Sequence, residues 1–405
     1  MRKPKILQIS HHTAYPPTSG GEHRVHGLLS ADGRFDKTRW VFQHSPDGEK
    51  EGIHKKQIGD DYTELIYYSG LRKRVHNNIH EKIARTDIDN DLIGLCLVIN
   101  EYRLLKHISD DSNLDDLMNK ADIIQIEYPW LFPYFFRNKK NKTKIIYSSH
   151  NDEVEYHNYL PDSLPGRYIK WTIKRRERAA VEKSDAVVVV SERDISRYQD
   201  RGWKVGEHVV CRNGTPRVPN SADPSNGLRV GDINDASVVC IFVGTDHQPN
   251  RVAIDEIISF AGELASDDIH IEILGSVCQR YTDTPENVHL CGFVDELEPY
   301  LLGADIGLNP TTLGGGSNIK LAEYLAYGLP VVSTPFGSRG FESGTDDVFL
   351  TSDIGSFPDV IKELSSDAEL RRALGQRART FAIENLRWDN ISEKLFDYYN
   401  QQFLD

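Results

Sequence analysis

The chain predicts an α/β protein of two doubly wound parallel-sheet halves that face a cleft. Three observations carry this. Apolar runs of five or six residues alternate with helical patterns nearly from end to end, which is the signature of parallel sheets covered on both faces. A polar stretch rich in Pro, Gly, Ser and Asn, Asn213–Asp235, interrupts the series once and reads as a linker. Charge changes across it: residues 1–210 carry 34 Lys and Arg against 31 Asp and Glu, and the remainder carries 14 against 30.

In the first half the strands fall at Lys5–Ser10, Thr38–Gln43, Glu64–Ser69, Asp122–Glu127, Lys144–Ser149, Asp185–Ser191 and His208–Arg212. Helices are expected at Glu22–Ala31, Leu71–Ala84, Leu114–Lys120, Arg167–Lys183 and Glu192–Arg201. In the second, strands fall at Ser237–Val243, His270–Leu274, Val288–Cys291, Asp305–Asn309, Pro330–Ser333 and Val348–Leu350. Its helices are Arg251–Leu264, Glu296–Leu302, Ile319–Tyr327, Phe357–Leu364 and Ala368–Glu384, and a last apolar helical spacing runs from Trp388 to Phe403. Domain boundaries are expected at 1–213, 214–235 and 236–385, with 386–405 crossing back to the first domain.

Composition narrows the function. No apolar run approaches the roughly 18 residues of a membrane span, and the apolar part of the first segment is too short for a signal peptide. Five cysteines without a Cys-x-x-Cys pair point to reduced thiols in a cytoplasmic protein. A net charge of −13 with no aromatic–basic interleaving argues against nucleic acid. Basic residues do cluster at Arg72, Lys73, Arg74, Lys82 and Arg85, at Arg137 to Lys144, and at Arg167 to Arg178. Contact with an anionic membrane, at its inner face, is one reading of these clusters, and solvated faces are the other.

The densest chemical signal is Gly314-Gly315-Gly316-Ser317-Asn318-Ile319-Lys320-Leu321-Ala322-Glu323. Glycines allow close backbone approach to a ligand, and the helix start that follows suits a phosphate. Lys320 sits in the first turn, where a cation opposes the helix dipole unless an anion is near. Glu323 follows on the same face. A second glycine pair, Gly20-Gly21, opens the first helix after Pro16-Pro17-Thr18-Ser19, again a phosphate-compatible start, but neither a Walker loop nor a Gly-x-Gly-x-x-Gly fingerprint. His150 and Glu127 end strands, and strand carboxyl ends face the cleft in this architecture. Tyr128 and Trp130 stack on a ring or pack under the loop. His11-His12 and Asp87-Ile88-Asp89 lack metal-site spacing or context, so no metal and no cofactor is expected.

Taken in order, Pro17-Thr18-Ser19-Gly20-Gly21, Ser149-His150-Asn151, Ser184 to Ser191, Asn213-Gly214, Phe242-Val243-Gly244, Ala304-Asp305 and the Gly314 to Pro330 block resemble the family-four glycosyltransferases of the GT-B fold, which has two Rossmann-like domains. The resemblance implies metal-independent, retaining transfer of a sugar from a nucleotide-diphosphate donor to a glycan or lipid-linked acceptor, in cell-surface polysaccharide or glycoconjugate synthesis. It implies backbone contacts from Gly20, Gly21, Gly316, Ser317 and Asn318, ribose contacts from Glu323, and His150 beside the transferred sugar. Two departures stand out. The first glutamate of the family's pair is replaced by Gly315. The Arg and Lys that many relatives carry after the first strand of the second domain are missing from Gly244-Thr245-Asp246-His247-Gln248-Pro249-Asn250-Arg251. Lys320, with Arg251 or Arg24, is the expected replacement charge. The alternatives are a nucleotide-sugar epimerase and a non-catalytic nucleotide-sugar-binding protein.

Overall fold

The computed structural model describes residues 2–17, 19–31, 33–44, 50–83, 90–107, 113–215, 218–219, 224–230, 233–234, 236–314, 319–341 and 347–404. It divides into two compact units, Met1–Cys211 with Ile391–Asp405, and Arg212–Asn390.

The first unit is built on strands β1 (Lys5–Ser10), β2 (Asp36–His44), β3 (Gly52–Gly59), β4 (Tyr62–Ser69), β5 (Ile123–Glu127), β6 (Lys144–Ser148), β7 (Ala186–Val189) and β8 (His208–Val210). Their order is β3-β4-β2-β1-β5-β6-β7-β8. All pairs are parallel except β3 with β4, where Ile53 faces Tyr67 in antiparallel register. The central strands β5 and β7 are buried along their whole length and β6 at all but its first residue, as sheets covered on both faces require. Helices α1 (Gly20–Gly27), α2 (Gly70–Ile83), α3 (Asn90–Asn100), α4 (Leu114–Lys120), α5 (Phe132–Asn138), α6 (Glu153–Tyr156), α7 (Leu164–Lys183) and α8 (Glu192–Asp200) connect them. The largest core cluster joins Trp40, Phe42, Ile124, Phe132, Phe135 and Tyr147.

The second unit has strands β9 (Val238–Val243), β10 (Ile269–Leu274), β11 (Val288–Gly292), β12 (Ile306–Asn309), β13 (Val331–Ser333) and β14 (Leu350–Thr351) in the order β11-β10-β9-β12-β13-β14, all parallel. Its helices are α9 (Gln248–Ala261), α10 (Glu298–Gly303), α11 (Ile319–Ala326), α12 (Phe357–Ser366) and α13 (Ala368–Asn385). Two cores lie on opposite faces of this sheet, one around Phe242, Ile257 and Ile271, the other around Ile241, Tyr324 and Phe341. Alternate residues of a strand point to opposite faces, so neighbouring Ile241 and Phe242 serve different cores.

Helix α14 (Trp388–Tyr399) carries the chain back to the first unit. Leu395, Phe396 and Tyr399 are fully buried there. The Ser392 hydroxyl accepts from the Ala31 N–H, and the Tyr399 hydroxyl donates to Gln125 Oε1 at 2.8 Å.

Some elements differ from the sequence reading. Strand β3 and helices α3, α5 and α6 were not anticipated. β3 is an edge strand whose central Lys55, Lys56 and Gln57 are exposed, so it lacks the apolar alternation that marks a half-buried strand. The first helix stops at Gly27, short of Ala31, because the Leu28 and Leu29 N–H groups close the final turn. Asp87-Ile88-Asp89 lies outside the described residues.

Candidate functional site

In the first unit the relevant residues gather at the carboxyl edge of β1, β5 and β6. Ser19 caps α1 reciprocally with Glu22, using the N–H groups of Ser19 and Glu22 and leaving those of Gly20 and Gly21 at the open end of the helix. A Cβ on Gly21 would lie 3.1 Å from the Tyr128 hydroxyl, so the glycine sets how closely the helix start approaches that ring. Tyr128 takes a left-handed backbone, φ 68°, at the end of β5. This turns its ring onto His150, stacked at 4.2 Å between centroids.

His150 Nε2 lies 2.8 Å from Glu127 Oε2, and both side chains are buried. The other carboxylate oxygen accepts from Gln8 Nε2 at 2.7 Å and Gln125 Nε2 at 2.6 Å. Burial alone would raise the Glu127 pKa. The hydrogen bond and charge of His150, with the Gln8 bond, outweigh it and hold the group below its ordinary value. Burial lowers the His150 pKa, against the hydrogen bond and charge of Glu127. The pair is therefore a carboxylate and a neutral imidazole, which places the imidazole proton on Nε2. Nδ1 is left as a buried acceptor with no hydrogen-bond partner among the described residues. Such an atom can receive a hydrogen bond from a ligand hydroxyl.

Arg24 is also buried. Its guanidinium donates to the carbonyls of Cys211 at 2.7 Å and Ser149 at 3.2 Å. It thereby ties α1 to the backbone next to His150. Trp130 packs with Leu160, Ile169 and Ile173 in a small core and meets the His157 ring edge-on, which is the packing alternative.

In the second unit Lys320 and Glu323 meet at the carboxyl edge of β9. Tyr324 explains how. Its ring lies against Gly307 of β12, where a Cβ would come within 2.7 Å of it. Its hydroxyl accepts from the Val243 N–H at 2.9 Å. This pins α11 to the end of β9 and brings Lys320, one turn earlier, over the Phe242 ring at 3.9 Å. Lys320 Nζ donates to Asn250 Oδ1 at 2.8 Å, and Asn250 Nδ2 donates to the Thr245 carbonyl at 2.9 Å. Thr245, Asn250 and Lys320 thus form one chain of contacts.

Burial pulls the Lys320 ammonium down to about 7, against the attraction of Glu323. Burial likewise pushes Glu323 up to about 7, against Lys320. The Glu323 carboxylate makes no hydrogen bond to another described residue, so its oxygens are available. Arg251, in contrast, bonds Asp246 at 2.6 Å, and Arg280 holds the same carboxylate. Its charge is committed to that surface group.

The turn after β13 is tied by Asn309, whose Nδ2 donates to Ser333 Oγ at 3.0 Å and to the Gly337 carbonyl at 2.9 Å. Thr311 Oγ1 donates to Asn309 Oδ1 at 2.9 Å. Gly314, φ 121°, passes against Pro249 of α9. Gly315, Gly316, Ser317 and Asn318 lie outside the described residues.

The structure thus groups Gly21, Arg24, Glu127 and His150 in one unit, and Thr245, Lys320 and Glu323 in the other. Sequence reading missed Asn250 and Phe242 as the supports of Lys320, and Gln8 and Gln125 as those of Glu127. The polar Gln8 and Gln125 inside apolar strands were the available signal, since a buried amide needs a partner.

Comparison with known proteins shows the fold. Over 99% of both chains the protein is similar to a sucrose-phosphate synthase from Thermosynechococcus elongatus, with a TM-score of 0.71 and 16% identity. It is similar to a glycosyltransferase from Rickettsia africae over 100% of both chains, TM-score 0.62 and 13% identity. A trehalose-6-phosphate protein from E. coli, solved bound with UDP-2-fluoro glucose, matches at TM-score 0.60 and 12% identity, covering 98% of this chain and 99% of that one. The fold is GT-B. Residues 237–367 match the family model of glycosyl transferases group 1. A stretch of 71 residues is 41% identical to an uncharacterized glycosyltransferase of Methanosarcina acetivorans, and it spans 17% of this chain and 17% of that relative.

Proposed function

We propose that the protein transfers a sugar from a nucleotide-diphosphate donor to a glycan or lipid-linked acceptor, with retention and without a metal, in the synthesis of cell-surface polysaccharide or glycoconjugate. The observation that carries this is the half-buried Lys320, held by Asn250 and Phe242 next to a Glu323 carboxylate that bonds no described residue, at the carboxyl edge of β9. A cation held this way in a poorly solvated place favours an anionic ligand, and the departing diphosphate is one. Glu323 then takes the ribose hydroxyls. The UDP-2-fluoro glucose bound by the E. coli protein of the same fold supports the donor class.

In this mechanism the bond from the anomeric carbon to the diphosphate oxygen breaks, and charge grows on the diphosphate. In the second unit Lys320 opposes that charge. The acceptor hydroxyl attacks on the face the diphosphate leaves, and a diphosphate oxygen takes its proton. His150 Nδ1 accepts a hydrogen bond from a sugar hydroxyl and so orients the ring.

A donor panel tests this. Uridine, guanosine and adenosine diphosphate sugars are screened for a rise in melting temperature, and the stabilising donor is then incubated with glycan and lipid-linked acceptors. Release of nucleoside diphosphate that depends on the acceptor, with the anomeric configuration kept, is expected. A sugar changed without any acceptor would indicate an epimerase. Tight binding without transfer to any acceptor would indicate a binding protein.

A further inference from the structure

The three basic clusters of the first unit differ once side chains are placed. Arg72 is buried and bonded to Glu101, while the side chain of Lys82 and the residue Arg85 lie outside what is described. Lys139 and Lys144 both pair with Asp185. Helix α7 is different. Its inner face, with Ile169, Ile173 and Ala180, is core. Its outer face carries Leu164, Arg167, Tyr168, Trp171, Lys174, Arg175 and Arg178, all exposed. Those positions repeat at the spacing of one helical stripe.

The apolar members are unusually open. Leu164 is 82% exposed, Trp171 55% and Tyr168 44%. Tyr159, 63% exposed, stands in the segment leading to the helix. Arg175 lies over the Trp171 ring at 5.4 Å. Contiguous exposed apolar surface marks an interaction site. Aromatic rings beside long basic side chains suit one environment, the boundary between lipid headgroups and acyl chains.

We propose that the outer face of α7 docks on an anionic lipid bilayer, with Leu164, Tyr168 and Trp171 entering the boundary region and Arg167, Lys174 and Arg175 on phosphate headgroups. The charge of the stripe selects this occupant, because Lys174 and Arg175 make no ion pair with a carboxylate among the described residues, whereas Arg167 lies near Asp162 and Arg178 pairs with Glu182. The inner residues Ile169 and Ile173 share a core with Trp130, next to Tyr128 and the site residue His150. The inference does not depend on the donor or on any transfer.

Vesicle sedimentation of the full chain tests it. Binding to phosphatidylcholine vesicles doped with phosphatidylglycerol, little binding to phosphatidylcholine alone, and loss in high salt are expected. Each near-surface cation contributes about fivefold, so Lys174→Glu with Arg175→Glu should cut partitioning on the order of 25-fold or more. Leu164→Ser with Trp171→Ser should also abolish it. All four side chains are exposed, so far-UV circular dichroism and melting temperature should be preserved, and a lost fold is thereby told apart. No pelleting with anionic vesicles, pelleting unchanged in both variants, or self-association removed by the Leu164/Trp171 pair in place of vesicle binding would each overturn the proposal.

Discussion

Glu127 and His150 form a carboxylate–imidazole pair whose polarity is fixed by two glutamines. Because Gln8 and Gln125 both donate to Glu127 Oε1, a glutamine at 127 must turn its own carbonyl to that side. Its NH2 group then faces His150 Nε2, and the imidazole proton moves to Nδ1. Glu127→Gln should therefore fold, with a loss of about 1–3 kcal/mol, while presenting a donor where the native site presents an acceptor. Turnover should fall on the order of 100-fold, as expected of a misoriented contact. Nitrogen NMR of the His150 ring should report the exchanged tautomer.

Lys320 and Glu323 give neutral pH a defined effect. The folded Glu323 titrates near 7 rather than at the ordinary 4.5, so the folded state holds the extra proton between these values and stability falls as pH rises through that window. The folded Lys320 titrates near 7 rather than at 10.5, so the unfolded state holds the extra proton above 7 and stability rises again. The pair thus produces a shallow minimum around pH 7 in urea unfolding of the free protein, absent from the Lys320→Met, Glu323→Gln double variant.

A bound diphosphate favours the protonated lysine. Affinity for a nucleoside diphosphate should weaken as pH rises above about 7, measured by calorimetry, and Lys320→Met should flatten this dependence. That substitution should also cost on the order of 100-fold in turnover. Arg251→Ala removes only a surface pair with Asp246 and should leave stability nearly unchanged, with a much smaller effect on turnover than Lys320→Met.

Gly275, at the end of β10, has φ 107°, and a Cβ there would fall 2.1 Å from the Gly244 carbonyl oxygen. Gly275→Ala should destabilise by about 1–3 kcal/mol from backbone strain alone, with more from the clash, and should displace the Gly244–Thr245 turn that receives Asn250. A lower melting temperature together with weaker donor binding is the expected result. A normal melting temperature would count against it.

Tyr399→Phe removes a hydrogen bond to Gln125, which itself supports Glu127. A loss of about 0.5–1.5 kcal/mol is expected. Removal of residues 391–405 uncovers the surface filled by Leu395, Phe396 and Tyr399, and the shortened chain should aggregate or fail to show cooperative unfolding of its first unit.

Much of the architecture could be read from the chain because buried parallel strands are nearly uniform apolar runs. Lys5–Ser10 matched to the residue, and Ala186–Val189 and Ile306–Asn309 fell within the expected limits. Strand β3 was hidden because an edge strand need not be apolar, and Lys55 and Lys56 are what such an edge tolerates. In the site, the types and spacing of Lys320, Glu323, His150 and Glu127 were legible, since charged residues at strand and helix ends stand out. Their supports were not. Nothing local marks Asn250 as the acceptor for a lysine seventy positions away, or Gln8 as a donor to Glu127, because such pairs exist only after the strands align.

The return of α14 orders events during synthesis. The first unit cannot shelter Phe35 until Phe396 arrives against it, and the whole second unit lies in between. A ribosome therefore releases a lobe made early but sealed late, with an apolar seam that stays open while the other lobe forms. Slow translation across residues 212–390 would prolong that exposure, and chaperone demand should follow the length of the pause.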